Sequence, residues 1–476
     1  MKIGQKNIPG EMLLVLLFIF LYVLAASLVS LNRHWQYNSF WYDFGIFDTT
    51  IWKLSRFQLP LIAQLNPPLG KVVWADHFNP STIFLAPLYW LTNKQEIILI
   101  AQSVVVGLSG LVGYFLSLKF IKSRMVRISL IVSYFGFVGL QNALYTDVHN
   151  IVFALLPLML TIWALFQKNW KLYWIFLFIT LGIQENMAAV VTMLGLYLLL
   201  RRERIANIGI LTVCVGLIYG TVAMKVLIPW LNGGSYNYQP TTPSIWYEWI
   251  TQFLIPIDLK LRSIVLTFVT FGLLPIGTIS TFPLVIEHYL ERFVLNTAAT
   301  RWDLGFHYNA LLSPILFLSS LETIIYLQSH KFFKRLLPVW ATLTILIVII
   351  LHRFYLHGPL MLATHPVFYE QTNDAKFLRS FKEQIPSSGL LMTQNNIAAQ
   401  FTHDEVILLN QNYSMMRPDT IAIDIRPGQN ANNFFPLSQS QTEDLIASVS
   451  ADPNYRKKEV TDSQIVFTRK RINRSY

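Results

Sequence analysis

Apolar runs recur along the chain, separated by short polar connections. About eleven of them are long enough, or nearly long enough, to cross a hydrocarbon core of about 30 Å: 12–31, 96–120, 128–145, 151–166, 172–183, 187–200, 208–230, 263–276, 278–290, 308–328 and 336–353. Three of these, 172–183, 263–276 and 278–290, are short and need tilt, neighbouring residues or local thinning of the bilayer to cross. The stretch "STIFLAPLYWLT", 81–92, is shorter still and reads as a re-entrant or interfacial helix. Beyond about residue 354 the pattern changes. "DAKFLRSFKEQI" and "SQTEDLIASVSA" have helical spacing, whereas "GLLMTQ", "EVILLN", "TIAIDI" and "QIVFTR" are short runs suited to strands. Alternating strands and helices predict a small α/β domain over 354–476, after a transmembrane domain over 1–353 whose first outer loop covers 32–95.

Composition agrees with a polytopic membrane protein. The chain has 476 residues, 53% hydrophobic and 13% charged, against roughly a quarter charged in a soluble domain. The N-terminus carries Lys2 and Lys6 ahead of an apolar run longer than the roughly 7–15 residues of a signal peptide, so an uncleaved first span is expected. The single cysteine, Cys214, excludes an intrachain disulfide and argues against a cysteine-based metal site.

The net charge of +11 tests the span count. With the N-terminus in the cytoplasm, the basic connections "KSRMVR" (Lys122, Arg124, Arg127), "QKNWK" (Lys168, Lys171), "RRER" (Arg201, Arg202, Arg204) and "HKFFKR" (Lys331, Lys334, Arg335) all fall on the inner side, with Glu203 the only acid among them. Positive charge is thereby accounted for, and no nucleic-acid partner is invoked. The same arrangement places the C-terminal domain outside the cytoplasm, with the plasma (inner) membrane as the expected location. No Gly-rich phosphate fingerprint follows a strand in that domain, and no internal repeat suggests an inverted-repeat transporter.

Acids and histidines then fall at the outer ends of the spans. The first outer loop holds Asp43, Asp48, Asp76 and His77, and the turn "LYTDVHN" holds Asp147 and His149. "GIQENM" holds Glu185, and the late loop holds Glu287, His288, Arg301, Asp303 and His307. Ionisable groups close to hydrocarbon are costly unless paired or hydrated, which marks them as functional candidates. Each also has a plainer reading. Asp43 suits a helix cap, Asp48 an exposed polar position, and His77 a structural role before the helix start at Pro80. Glu185 suits a loop acid and Arg301 an interfacial snorkelling residue; His307, at a span start, divides in the same way. Asp147 and His149, two apart, splay on a helix and face opposite ways in an extended turn, so they make a weak metal pair. Trp35, Trp41, Trp74 and Trp230 fit the interfacial aromatic belt.

These segments, taken in order, resemble a bacterial and archaeal family of predicted membrane proteins of unknown function placed in the GT-C glycosyltransferase superfamily. "YDFGIFDTTIW" resembles its opening loop and "ADHFNPSTIFLAPLY" its His-containing segment; "TDVHNIVFALLPLML" resembles its Asp-x-His turn. "GIQENMAAVV" resembles its acid between short spans, and "FGLLPIGTISTFPLVIEHYL" with "FHYNALLSPILFLSS" its late Pro-rich pair and His-Tyr span start. Together they cover roughly residues 30–330. Two positions depart from the pattern: Asp48 stands where Gln or Asn is expected, and "DVHN" lacks a Pro after its His.

The resemblance implies a GT-C-like α-helical fold and a lipid-linked donor. It implies inverting transfer of a sugar from polyprenyl phosphate to an acceptor of unspecified identity on the extracytoplasmic face. Asp43 would be the general base that takes the acceptor proton. Arg301 and His307, then His77 and His149, would steady the leaving phosphate, with Asp48 and Glu185 also toward substrate. No cofactor is fixed, although the superfamily allows a divalent metal bridging the phosphate, for which Asp48, Asp147 and Glu185 offer hard oxygen ligands. Two other readings remain open: a non-catalytic lipid- or solute-binding protein or transporter with an outer-leaflet cavity, and a membrane-anchored scaffold presenting the α/β domain.

Overall fold

The structure, a computed structural model, describes residues 10–470 except 68, 202–204, 296–298 and 387. Lys2, Lys6, Arg202, Glu203 and Arg204, used above to orient the chain, lie outside the described residues. Contacts divide the chain into two units: 1–30, 77–81 and 99–365 form the first, and 31–76, 82–98 and 366–476 the second.

The first unit is helical. Among the described residues, five helices are long and apolar enough to cross a membrane: Gly10–Trp35, Glu96–Phe120, Ala206–Asn232, His307–Gln328 and Lys331–Leu356. A sixth crossing arises if Arg124–Gly136 and Val138–Tyr145, bent by 44°, are taken as one broken span. The break falls at Phe137, which is extended (φ −70°, ψ 115°). A break inside a span frees backbone carbonyls that need donors. Here the Gln141 amide donates to the Phe135 carbonyl at 3.1 Å, and His352 Nε2 to the Gly136 carbonyl at 2.6 Å.

The remaining predicted spans are shorter than the hydrocarbon thickness. Asn150–Phe166, Trp170–Leu181 and Met187–Leu200 are apolar but short. The segment expected at 263–276 is the helix Ile257–Thr270, which carries Asp258, Lys260 and Arg262. That expected at 278–290 is the helix Phe282–Phe293, which buries Glu287, His288 and Arg292. The residues 81–92 do not form a span: they make a 3-10 turn, Pro80–Leu85, and a short helix, Leu88–Leu91.

One end of this unit gathers the basic connections. Arg127 forms a fork with Glu11 (2.7 and 2.5 Å) and caps the Ile121 carbonyl at 2.6 Å. Lys119 reaches the Gln167 side chain at 2.8 Å, Gln328 receives the Lys122 N–H at 3.1 Å, and Arg201 lies 3.3 Å from Glu322. Between helices, close approach requires small residues: a Cβ at Gly216 would sit 2.8 Å from the Thr192 backbone nitrogen on Met187–Leu200.

The second unit is built on a five-stranded sheet. A two-residue ribbon pairs β1 (Leu61–Ile62) with β2 (Lys71–Val72). The main sheet contains β3 (Leu391–Thr393), β4 (Val406–Leu408), β5 (Thr420–Asp424), β6 (Tyr455–Thr461) and β7 (Gln464–Arg469), in the order β4-β3-β5-β7-β6. The β3 strand runs parallel to β4 and β5, and β7 antiparallel to β5 and β6. Met392, Ile407, Ile421, Ile423, Leu445, Val449 and Phe467 make its core. The helix Gln439–Ala451 starts with a reciprocal cap between Ser438 and Gln441. All four strands predicted from apolar runs are present. The fifth, β6 ("YRKKEVT"), has no such signal because it is a charged, exposed edge.

The segments 31–76 and 82–98 fold into this second unit. Asn32 donates to the Phe368 carbonyl at 2.6 Å, Thr49 to the Thr402 carbonyl at 2.7 Å, and the Leu408 N–H to the Gln64 side chain at 2.8 Å. Lys53 pairs with Glu405 at 2.9 Å.

Candidate functional site

Glu185 lies in the first unit, on the turn between the helices Trp170–Leu181 and Met187–Leu200. The segment His77–Ser81 is pressed against this turn. Ser81 N–H donates to the Gly182 carbonyl at 2.8 Å, and the Ser81 hydroxyl to the Ile179 carbonyl at 2.9 Å. A Cβ at residue 182 would overlap the Ser81 hydroxyl, so glycine is required for this approach. It brings His77 Nδ1 to 2.7 Å from one Glu185 oxygen and the Phe78 N–H to 3.0 Å from the other. The Tyr236 hydroxyl donates to the first oxygen at 2.7 Å, and Tyr238 stacks on the His77 ring at 4.4 Å and 13°.

Glu185 is 1% exposed while the His77 side chain is 23% exposed. Burial pushes the Glu185 carboxyl up, but the His77 charge and hydrogen bond, the Tyr236 hydroxyl and its own backbone outweigh this and hold it below its ordinary value. The Tyr236 phenol is pushed up by burial and then by Glu185. The group at pH 7 is therefore a carboxylate held by donors. Asn79, on the same segment, is wholly buried, and neither end of its side-chain amide has a hydrogen-bond partner among the described residues. An apolar groove of about 260 Å³, lined by Phe78, Phe178, Val215, Ile218, Tyr219 and Leu227 among others, shares Phe78 with the cluster.

A basic cluster stands nearby. His149 and His307 stack with centroids 3.3 Å apart, and His149 is held by its Nδ1 on the Asp147 carbonyl (2.6 Å) and its N–H on Gln102 (3.0 Å). The His307 ring lies 3.9 Å from that of Tyr308, and the guanidinium carbons of Arg301 and Arg292 lie 4.5 and 5.2 Å from the same ring. Glu291 is 3.5 Å from Arg292 and also acts on the Tyr236 phenol, which makes the two clusters neighbours.

Asp43 and Asp48 belong to the second unit. Asp43 is exposed on the turn Trp41–Gly45, which is anchored by the buried Trp41 and Phe44. A Cβ at Gly45 would overlap the Trp41 indole, which explains the glycine in "YDFG". The Tyr42 N–H donates to the Asn395 side chain at 3.0 Å, and the Tyr42 ring meets Phe435 edge-on at 5.0 Å. Asp48 is wholly buried. It accepts from the hydroxyls of Tyr89 and Thr402 and lies 3.1 Å from His403 Nε2, whose ring is stacked on Trp52 at 3.9 Å and 7°.

The structure thus brings together His77 with Glu185, and His149 with His307 and Arg301. Asp48 is joined to Tyr89, Thr402 and His403, far along the chain. Among the described residues no three His, Cys, Asp or Glu side chains gather as metal ligands, Asp48, Asp147 and Glu185 included. Sequence reasoning missed Tyr236, Tyr238, Asn79, Arg292 and His403. The Tyr-x-Tyr of "SYNYQP" in a polar loop was the available signal. No curated protein matches the chain. The profile of a family described as predicted membrane protein (DUF2079) matches residues 33–466, nearly the whole chain, and the protein belongs to that family.

Proposed function

We propose that this membrane protein is an inverting glycosyltransferase of the GT-C type. It takes a sugar from a polyprenyl-phosphate donor and transfers it to an acceptor on the extracytoplasmic face of the plasma membrane, with Asp43 as general base. The observation that carries this reading is the apolar groove that shares Phe78 with the His77–Glu185–Tyr236 cluster. A groove without polar lining beside a buried carboxylate with a half-accessible histidine suits a ligand with a hydrocarbon tail and a polar head. Asp43 stands on an anchored turn with its carboxylate exposed, as a base that must reach an acceptor hydroxyl requires.

In this reading the short helices complete about eleven crossings, the N-terminus is cytoplasmic, and the α/β domain from residue 354 is outside. The convergence of Lys119, Lys122, Arg127 and Arg201 at one end of the helical unit supports a common cytoplasmic side.

The test is transfer of labelled sugar from polyprenyl-phosphate donors in proteoliposomes. Asp43→Asn should reduce transfer by about 10²-fold or more while the protein remains folded. Wild-type activity in Asp43→Asn rules out the base. A transporter is the second reading, favoured by the broken span at Phe137, since discontinuous helices frame transporter sites. Solute uptake without sugar transfer would select it.

A further inference from the structure

Arg292 is the least expected residue in the helical unit. It is 1% exposed, and its Nε and Nη2 have no hydrogen-bond partner among the described residues. Glu291 Oε2 lies 3.5 Å from its Nη2, an ion pair longer than the usual N–H···O hydrogen bond. The other nearby acid, Glu287, is buried, and its Oε1 has no hydrogen-bond partner among the described residues, Arg292 included. A buried guanidinium in this state is expensive, and a second cation, Arg301, faces the same Tyr308 ring. His149, whose Nδ1 is already engaged by the Asp147 carbonyl, stacks on His307 beside them. Two arginines thus face one ring, and Nε and Nη2 of Arg292 have no hydrogen-bond acceptor among the described residues.

An anion with several acceptor oxygens would supply what is lacking. Phosphate fits arginine forks geometrically, through paired short N–H···O bonds. Arg301, His307 and Tyr308 are half-buried, while Arg292 is enclosed.

We propose that Arg292 and Arg301, around Tyr308, form a binding site for a phosphate group, with His307 and His149 at its edge. This deepens the glycosyltransferase reading by assigning the donor phosphate, and it adds Arg292, which nothing in the sequence pattern singled out. The phosphate could belong to a lipid head or be free in solution, and the two are separable by experiment.

The experiment uses the full-length protein in nanodiscs and measures binding of undecaprenyl phosphate and of undecaprenol, its phosphate-free alcohol, by native mass spectrometry. The wild type should prefer the phosphate, and Arg301→Gln and Arg292→Gln should each reduce that preference by about tenfold or more. Arg262→Gln, a charge-matched control in the same unit, should leave it unchanged. Should Arg292→Gln fail to fold, Arg301→Gln alone decides, since its side chain is half-exposed. Displacement by millimolar inorganic phosphate assigns a free anion; displacement by phosphatidylglycerol alone assigns any lipid phosphate; resistance to both assigns the prenyl phosphate. Equal wild-type affinity for alcohol and phosphate, or an unchanged preference in both arginine variants, overturns the site. Binding requires no acceptor and no turnover. A bound phosphate without sugar transfer therefore defeats the enzyme reading alone, and sugar transfer without arginine-dependent binding defeats this site alone.

Discussion

The molecule contains the same constellation twice. In the helical unit Glu185 is paired with His77, receives a tyrosine hydroxyl from Tyr236, and its histidine is stacked on Tyr238. In the second unit Asp48 is paired with His403, receives a tyrosine hydroxyl from Tyr89, and its histidine is stacked on Trp52. Chemistry does not separate the two; their surroundings do. Asp48 takes its remaining hydrogen bond from Thr402, which also receives Gln95, so the carboxylate ties the first loop to the sheet domain. Glu185 takes its remaining hydrogen bond from Phe78, whose ring opens onto an apolar groove. One group is a clasp between segments distant in sequence, and the other borders a space a ligand can enter. A buried histidine–carboxylate pair is therefore not by itself a functional mark; the neighbouring cavity is.

This contrast can be broken most severely at Asp48. Asp48→Ala leaves two buried hydroxyls and a histidine without their acceptor, and should destabilise the second unit by about 3–5 kcal/mol. Thermal unfolding and protease resistance of the C-terminal region measure it. A variant as stable as wild type would show that Asp48 is no clasp.

Glu185→Gln keeps the volume and removes the charge, and should cost about 1–3 kcal/mol. It also removes a pH response. Because the folded Glu185 is held below its unfolded value, its contribution is present above the unfolded pKa of about 4.3 and lost as pH falls through the folded one. Between pH 7 and pH 3.5 the wild type should lose thermal stability that the Glu185→Gln protein does not.

Tyr236→Phe sharpens the comparison by removing one donor. It should cost about 1 kcal/mol and move the Glu185 titration upward, read from the same pH series. The smallest effects are expected at the stacked rings: Trp52→Leu and Tyr238→Leu should each cost about 0.5–1.5 kcal/mol. Only Tyr238→Leu should change ligand retention. Equal changes from both would erase the distinction drawn between the two sites.

The membrane class, the long helices and four strands of the α/β sheet were legible from the chain, because hydrophobic runs and alternation report local burial directly. The broken span at Phe137 was not, since it depends on Gln141 and His352 arriving to satisfy freed carbonyls. Nor was it legible that the helix Phe282–Phe293 buries Glu287, His288 and Arg292, because such burial is set by contacts outside the local window. His77 and Glu185 were recognised individually, but their pairing across 108 positions was not. Asp48 was legible as an acid in a greasy loop, whereas its partner His403 gave no signal at all.

The sequence by itself determined that this chain enters a membrane and where its basic connections and polar span ends fall, because transfer free energy depends on each residue and its near neighbours. Only the tertiary structure decided which acid meets which histidine, that the first loop folds with the C-terminal sheet, and that Arg292 is enclosed beside Arg301. Those outcomes depend on contacts between residues tens to hundreds of positions apart, and no local pattern carries the distance between them.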